Sequence, residues 1–238
     1  MAEHGIAIPP PPRTAHAEPA SEGRTTLQTV LLVCGIAAPL LYVAMLALVP
    51  LRWEAYRSAD QTVSELSAIG APTRPLWVPF GMLYTLLIAA FGGGVWAAAR
   101  GRRRLQVVGA LLTATGVLGL FWPPMHLREV LAAGGGTLSD TLHIVWTAAS
   151  NLLTLLAMGL AAATFGRRFR SYSIVTMVTM VACGVLTSVD APRIQANLPT
   201  PWVGVWERVI IGVWMLWLVV LAATLLRRPP IPENRTLP

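Results

Sequence analysis

The sequence predicts an all-α integral membrane protein: a six-transmembrane-helix bundle with a short interfacial helix in its first outer loop. Three observations lead there. Hydrophobic residues make up 55% of the 238 and charged residues only 12%, about half the charged share of an average soluble domain. Mean hydropathy is +0.60. Long apolar stretches alternate with short polar links, and every second link is almost purely arginine.

Six stretches are long enough to cross about 30 Å of hydrocarbon, which takes around 20 helical residues each. They lie at about 27–50, 76–99, 105–122, 138–165, 173–189 and 202–226. Only helices or closed barrels satisfy their backbone groups in lipid. Continuous Leu- and Ala-rich runs, without the alternation of barrel strands, exclude the barrel. A soluble helical bundle needs a polar stripe along each helix, and these runs have almost none.

Arginine placement orients the bundle. With both termini cytoplasmic, the inner segments hold Arg13, Arg24, Arg100, Arg102, Arg103, Arg104, Arg167, Arg168, Arg170, Arg227, Arg228 and Arg235. The outer links hold only Arg52, Arg57, Arg74, Arg128 and Arg193, with Arg208 inside the last span. The net charge of +7 then reflects topology in a plasma membrane and attraction to anionic lipid headgroups. No nucleic-acid partner is expected, because the basic clusters are short turns between spans. Membrane lipids are the expected partners, and oligomeric state is not indicated.

Residues 1–26, with Pro9 to Pro12, read as a disordered cytoplasmic tail, 27–226 as the membrane domain, and 227–238 as a short cytoplasmic tail. The first apolar run is too long for a cleaved signal peptide, and no small-x-small site follows it. Cys34 and Cys183 fall within spans as packing residues. Trp53, Trp77, Trp122, Trp202 and Trp206 fall near outer span ends, as an interfacial belt does. The glycines at 92–94, 109, 116 and 119 read as close helix packing.

In the first outer link, Ser58 and Gln61 have capping-box spacing and Gly70 is placed as a helix terminator. Asp60, Ser64 and Ser67 then share one face of a short helix on the membrane surface. Further ionisable residues gather at the same outer boundary: His126 after Pro123 and Pro124, Asp140 and His143 at the start of the fourth span, Asp190 before Pro192, and Glu207 beside Arg208. Charge within a membrane is costly unless paired or hydrated, so these groups should face inward and find partners.

Two readings of this set stand side by side. One is a structural polar network locking the helices together. The other is a site, with Asp140, His143, His126 and Glu207 as catalytic candidates and Ser64, Ser67, Arg128, Arg208 and Asp190 binding substrate. There His143 acts as base, Asp140 orients it, and Arg128 or Arg208 holds an anionic headgroup. Ser64 or Ser67 beside such a pair makes a hydrolase conceivable. A divalent metal on two histidines and up to three carboxylates is a further option, although no His-x-x-x-His or His-Glu-x-x-His motif is present. A tri-histidine zinc site cannot be built from His126 and His143 alone.

Several separated segments resemble one family. Ser64-Glu65-Leu66-Ser67-Ala68-Ile69-Gly70 is similar to the S-x-L-S-x-x-G signature of the six-helix membrane family called domain of unknown function 998. So are Met125-His126-Leu127-Arg128, Ser139-Asp140-Thr141-Leu142-His143-Ile144, Phe169-Arg170-Ser171-Tyr172-Ser173 and Trp206-Glu207-Arg208. The resemblance covers about 30–226 and implies six helices without naming a reaction. It also implies a distant likeness to eukaryotic membrane proteins of lipid-anchor remodelling and autophagy, hence lipid handling by analogy. The leading functional expectation is a lipid-associated membrane protein, enzymatic or not. A small-solute or proton-coupled transporter using Glu207, or a non-catalytic scaffold, are the alternatives.

Overall fold

The computed structural model describes residues 20–227, with side chains from Thr26 onward. Of the expected tails, 1–26 and 227–238, residues 1–19 and 228–238 lie outside the described residues. Eight α-helices follow in order: α1 (Ala20–Leu48), α2 (Arg74–Ala98), α3 (Arg103–Leu120), α4 (Arg128–Ala132), α5 (Leu138–Ala162), α6 (Arg167–Val189), α7 (Ala191–Gln195) and α8 (Val203–Leu226). The first helix already runs from Ala20, inside the stretch expected to be tail. The fifth expected span likewise begins earlier, because Arg167 to Tyr172 continue α6 as helix.

Among the described residues, five helices are long and apolar enough to cross a membrane: α1 with the turn after it, α2, α5, α6 and α8. The remaining expected span is α3. Its 18 residues open on Arg103 and Arg104, with Gln106 one turn on, and so fall short of that apolarity.

The six long helices close a ring. α1 packs on α2, α2 on α3, α3 on α5, α5 on α6, α6 on α8, and α8 returns to α1. Phe91, Leu112, Met158, Trp217, Leu218 and Leu221 fill its interior. Within it the Trp217 indole N–H donates to Ser173 Oγ at 3.0 Å, and Trp214 stacks on Trp217 at 5.6 Å. Outward, α1, α5 and α6 carry rows of exposed apolar side chains such as Leu40, Val145, Val175 and Val178. Water would penalise a surface of that kind, and lipid does not.

The seam between α2 and α3 is the tightest, and glycine makes it so. A Cβ on Gly92, Gly109 or Gly116 would strike backbone atoms of the facing helix, and one on Gly119 would strike Thr85. Gly94 plays the same part against Leu31 of α1, while Gly93 faces open space.

A second apolar cluster of Met45, Val49, Tyr56, Val63, Leu66 and Trp77 lies under the first outer link. Trp77 is therefore a core residue and not part of a belt. The link also departs from the expected surface helix. After a first 3-10 turn at Pro50–Arg52, the segment expected to be a helix is a second 3-10 turn, Val63–Ser67, capped at Thr62 and Glu65 in place of Ser58 and Gln61. Thr62 N–H donates to Glu65 Oε2 at 2.7 Å. The physical reason is burial: Val63, Glu65, Leu66 and Ser67 all turn into the protein, so the link is a plug with no solvated serine face. Gly70 does end this segment, at φ 91°, a conformation that favours glycine.

Candidate functional site

The polar residues at the end of the bundle that carries the 49–73 link form three knots. The first centres on Arg128, at the start of α4. Its Nε–H donates to Glu65 Oε1 at 2.6 Å and an Nη2–H to Glu65 Oε2 at 2.8 Å, a bidentate pair. Nη1–H donates to Thr200 Oγ1 at 2.7 Å, and Nη2–H also to the Asp60 carbonyl at 3.0 Å. Thr200 Oγ–H donates to that same carbonyl at 2.7 Å. Both charged side chains are buried, Glu65 at 1% exposure and Arg128 at 8%. One guanidinium thus ties together three links, 49–73, 121–137 and 190–202.

The second knot joins α8 to the first link. Glu207 Oε2 accepts from the Val63 backbone N–H at 2.6 Å, and the Ser64 hydroxyl lies 3.4 Å from Oε1. The Val63 N–H needs such an acceptor, because the first donor of a helical turn has no partner within the turn. The neighbouring Arg208 donates to the carbonyls of Ser58 (2.6 Å) and Gly204 (3.0 Å) and to the Tyr56 hydroxyl at 2.8 Å. Tyr56 in turn donates to the Thr62 carbonyl at 2.8 Å. Burial pushes the Tyr56 pKa up to about 12, against the opposing pull of Arg208, so this phenol keeps its proton at physiological pH.

The third knot pairs His126 with Asp140. The His126 backbone N–H donates to Asp140 Oδ1 at 2.7 Å, and its Nδ1–H faces Oδ2 at 2.9 Å. The same carboxylate accepts from Thr137 N–H at 2.8 Å and so caps α5. His126 also joins the first link, since Ile69 N–H donates to the Met125 carbonyl at 2.7 Å.

Two expectations change here. Asp140 orients His126, not His143, although it stands three residues from His143 on the same helix. The His143 ring turns back to the Pro123 carbonyl, to which Nδ1–H donates at 2.8 Å, and lies buried beside Trp122 and Trp146. Arg128, expected to hold an anionic headgroup, is instead buried and consumed by Glu65, Thr200 and Asp60. Ser67 donates to the Ser64 carbonyl at 2.7 Å, and neither serine has a histidine among its hydrogen-bond partners. Asp190 ends α6 away from the knots, 3.9 Å from Arg193.

Glu65 is the residue the sequence reading undervalued, although Thr62-x-x-Glu65 has capping-box spacing too. Chemically, the His126–Asp140 pair is a carboxylate-oriented imidazole, able to hold or pass a proton at Nε2. Among the described residues no group of three or more His, Cys, Asp or Glu side chains is placed to hold a metal ion. A shallow groove between α2 and α3, lined by Gly93, Trp96, Ala110, Thr113, Ala114 and Val117, is apolar and holds none of the knot residues.

No curated protein matches the chain, and no solved structure matches it. A family profile described as protein of unknown function (DUF998) does, over residues 36–224, a span from within α1 to near the end of α8 that takes in all three knots. The match spans well over half of the chain, and this chain therefore belongs to that family, DUF998.

Proposed function

We propose that the chain is a non-catalytic scaffold of the plasma membrane, with six spans including α3, both termini cytoplasmic, and its outer links clasped into one rigid cap. The observation that carries this reading is the buried Glu65–Arg128 pair, whose guanidinium also holds Thr200 and the Asp60 carbonyl. Groups spent on one another in this way are not free to bind a substrate. The transporter reading would rest on Glu207, whose carboxylate is tied into the same cap by the Val63 N–H. The hydrolase reading needs a serine beside a base, and Ser64 and Ser67 have carboxylate and carbonyl partners instead.

One observation favours a second reading, lipid-associated acid–base chemistry. The His126–Asp140 pair keeps about 15% of its surface open, and its geometry suits a base. Replacing His126 by Gln separates the two. As a scaffold, the variant accumulates in membranes and leaves the lipid composition of the cell unchanged in mass-spectrometric profiles. A lipid species that builds up or vanishes in that strain, while protein levels hold, transfers the case to the enzyme.

Topology has its own test. Because Glu65 is buried, the outer probe belongs at Leu198, which is 51% exposed, and the inner one at Arg102, which is also exposed. In a background with Cys34 and Cys183 replaced by Ala, Leu198→Cys should react with an impermeant maleimide on intact cells. Arg102→Cys should react only after lysis. The reverse pattern overturns the orientation.

A further inference from the structure

Near the middle of α5 stands a residue that lipid does not suit. Asn151 is exposed and occupies the fourteenth position of the 25-residue helix, about 20 Å from one end and 17 Å from the other. That places it well inside a hydrocarbon layer of about 30 Å. One amide hydrogen is used, as Nδ2–H donates to the Thr147 carbonyl at 3.0 Å. Among the described residues, the second amide hydrogen and the Oδ1 acceptor have no partner. The neighbouring side chains Ile144, Leu152 and Leu156 are exposed and apolar, so no water is at hand to supply one.

We propose that a second copy of this chain packs on this face of α5, joined by the Asn151 carboxamides. The occupant follows from partial-charge complementarity. A carboxamide carries a donor and an acceptor, so two copies related by a twofold axis satisfy each other, the N–H of each meeting the C=O of the other. Exposed Ala148, one turn from Asn151 on the same face, lets the two helices approach closely, as small residues do in membrane interfaces. The inference goes beyond the scaffold reading and uses none of the cap residues. It requires only that α5 cross the bilayer.

The test uses the full chain in phosphatidylcholine vesicles, labelled for energy transfer and diluted with lipid. Wild-type protein should show a dimer that dissociates on dilution. Asn151→Leu should weaken association about tenfold, a typical effect of one interhelical hydrogen bond in lipid. Asn151→Gln, which keeps the amide, should retain most of it. Without native cysteines, Ala148→Cys should cross-link between copies, and Val178→Cys, on the exposed face of α6, should not. A protein that stays monomeric at every dilution overturns the proposal. So does a dimer indifferent to Asn151→Leu, or one that cross-links through position 178 and not 148. None of these outcomes bears on the cap, which the His126 and Glu65 variants probe separately.

Discussion

Replacing Glu65 with Ala should lower the stability of the protein by about 3–5 kcal/mol, the usual cost of leaving one buried charge without its partner. Arg128 would keep its place at the start of α4 while losing both carboxylate oxygens, at 2.6 and 2.8 Å. The Thr62 N–H and hydroxyl, which donate to Oε2 at 2.7 and 2.9 Å, would be orphaned as well. For a chain of this length that is roughly 10 °C in the thermal midpoint, measurable in detergent by the scattering or fluorescence of the unfolding protein.

The effect should be local before it is global. With the plug loosened, added protease should cut the 49–73 link under conditions that leave the wild type whole. Arg128→Met should cost a similar amount, since it strands Glu65. The double variant Glu65→Leu with Arg128→Met should recover most of the loss, because an apolar pair has no desolvation to offset. Recovery will be incomplete by about 1 kcal/mol, as the Thr62 donors still lack an acceptor. If the single variants unfold no earlier than wild type, the pair does not hold the cap together.

What the sequence made legible follows from how each signal is encoded. Spans are encoded by composition over about 20 residues, so the five helices α1, α2, α5, α6 and α8 could be read directly. Only α3, with Arg103, Arg104 and Gln106 in its first turn, falls between the classes. The glycines at 92, 109, 116 and 119 were also legible, because close approach has few other uses for so many small residues in a membrane. Partner choice was not. Asp140 and His143 share a helix face, which made them an obvious pair. The two prolines at 123 and 124 instead bring the next segment across the end of α5, where His126 offers both a backbone N–H and a ring N–H to one carboxylate. That second donor is invisible in residue spacing. Glu65 was hidden for a related reason: its distant partner, Arg128, lies 63 residues on, and the other side chain that this guanidinium holds, Thr200, lies a further 72 residues on, so no local pattern reports the knot. Which charges meet depends on loop paths: Glu65 finds Arg128 and Asp140 finds His126, while Asp190 reaches Arg193.

The second large effect belongs to the α2–α3 seam. Gly116→Val should destabilise the bundle by about 3 kcal/mol or more, at the upper end for overpacking, even though it adds apolar surface. The first added carbon would meet the Ala89 N atom and the Thr85 carbonyl. Backbone atoms of a helix cannot swing aside as a flexible side chain can, so the two helices must separate. Separation lengthens every contact along the seam, including those made by Gly92 and Gly109 on one side and by Gly119 on the other. In lipid no hydrophobic gain compensates, because a methyl group facing acyl chains is as well placed as one facing protein. Gly93→Val is the control. It adds the same atoms on the neighbouring turn of α2, where nothing lies within 4 Å, and should change the stability by less than about 1 kcal/mol. Equal losses from the two variants would mean that the cost arises from valine in a helix and not from the seam. A large loss at Gly116 alone would identify close backbone approach as the force that sets the spacing of α2 and α3, and with it the position of the link that α2 carries at its outer end.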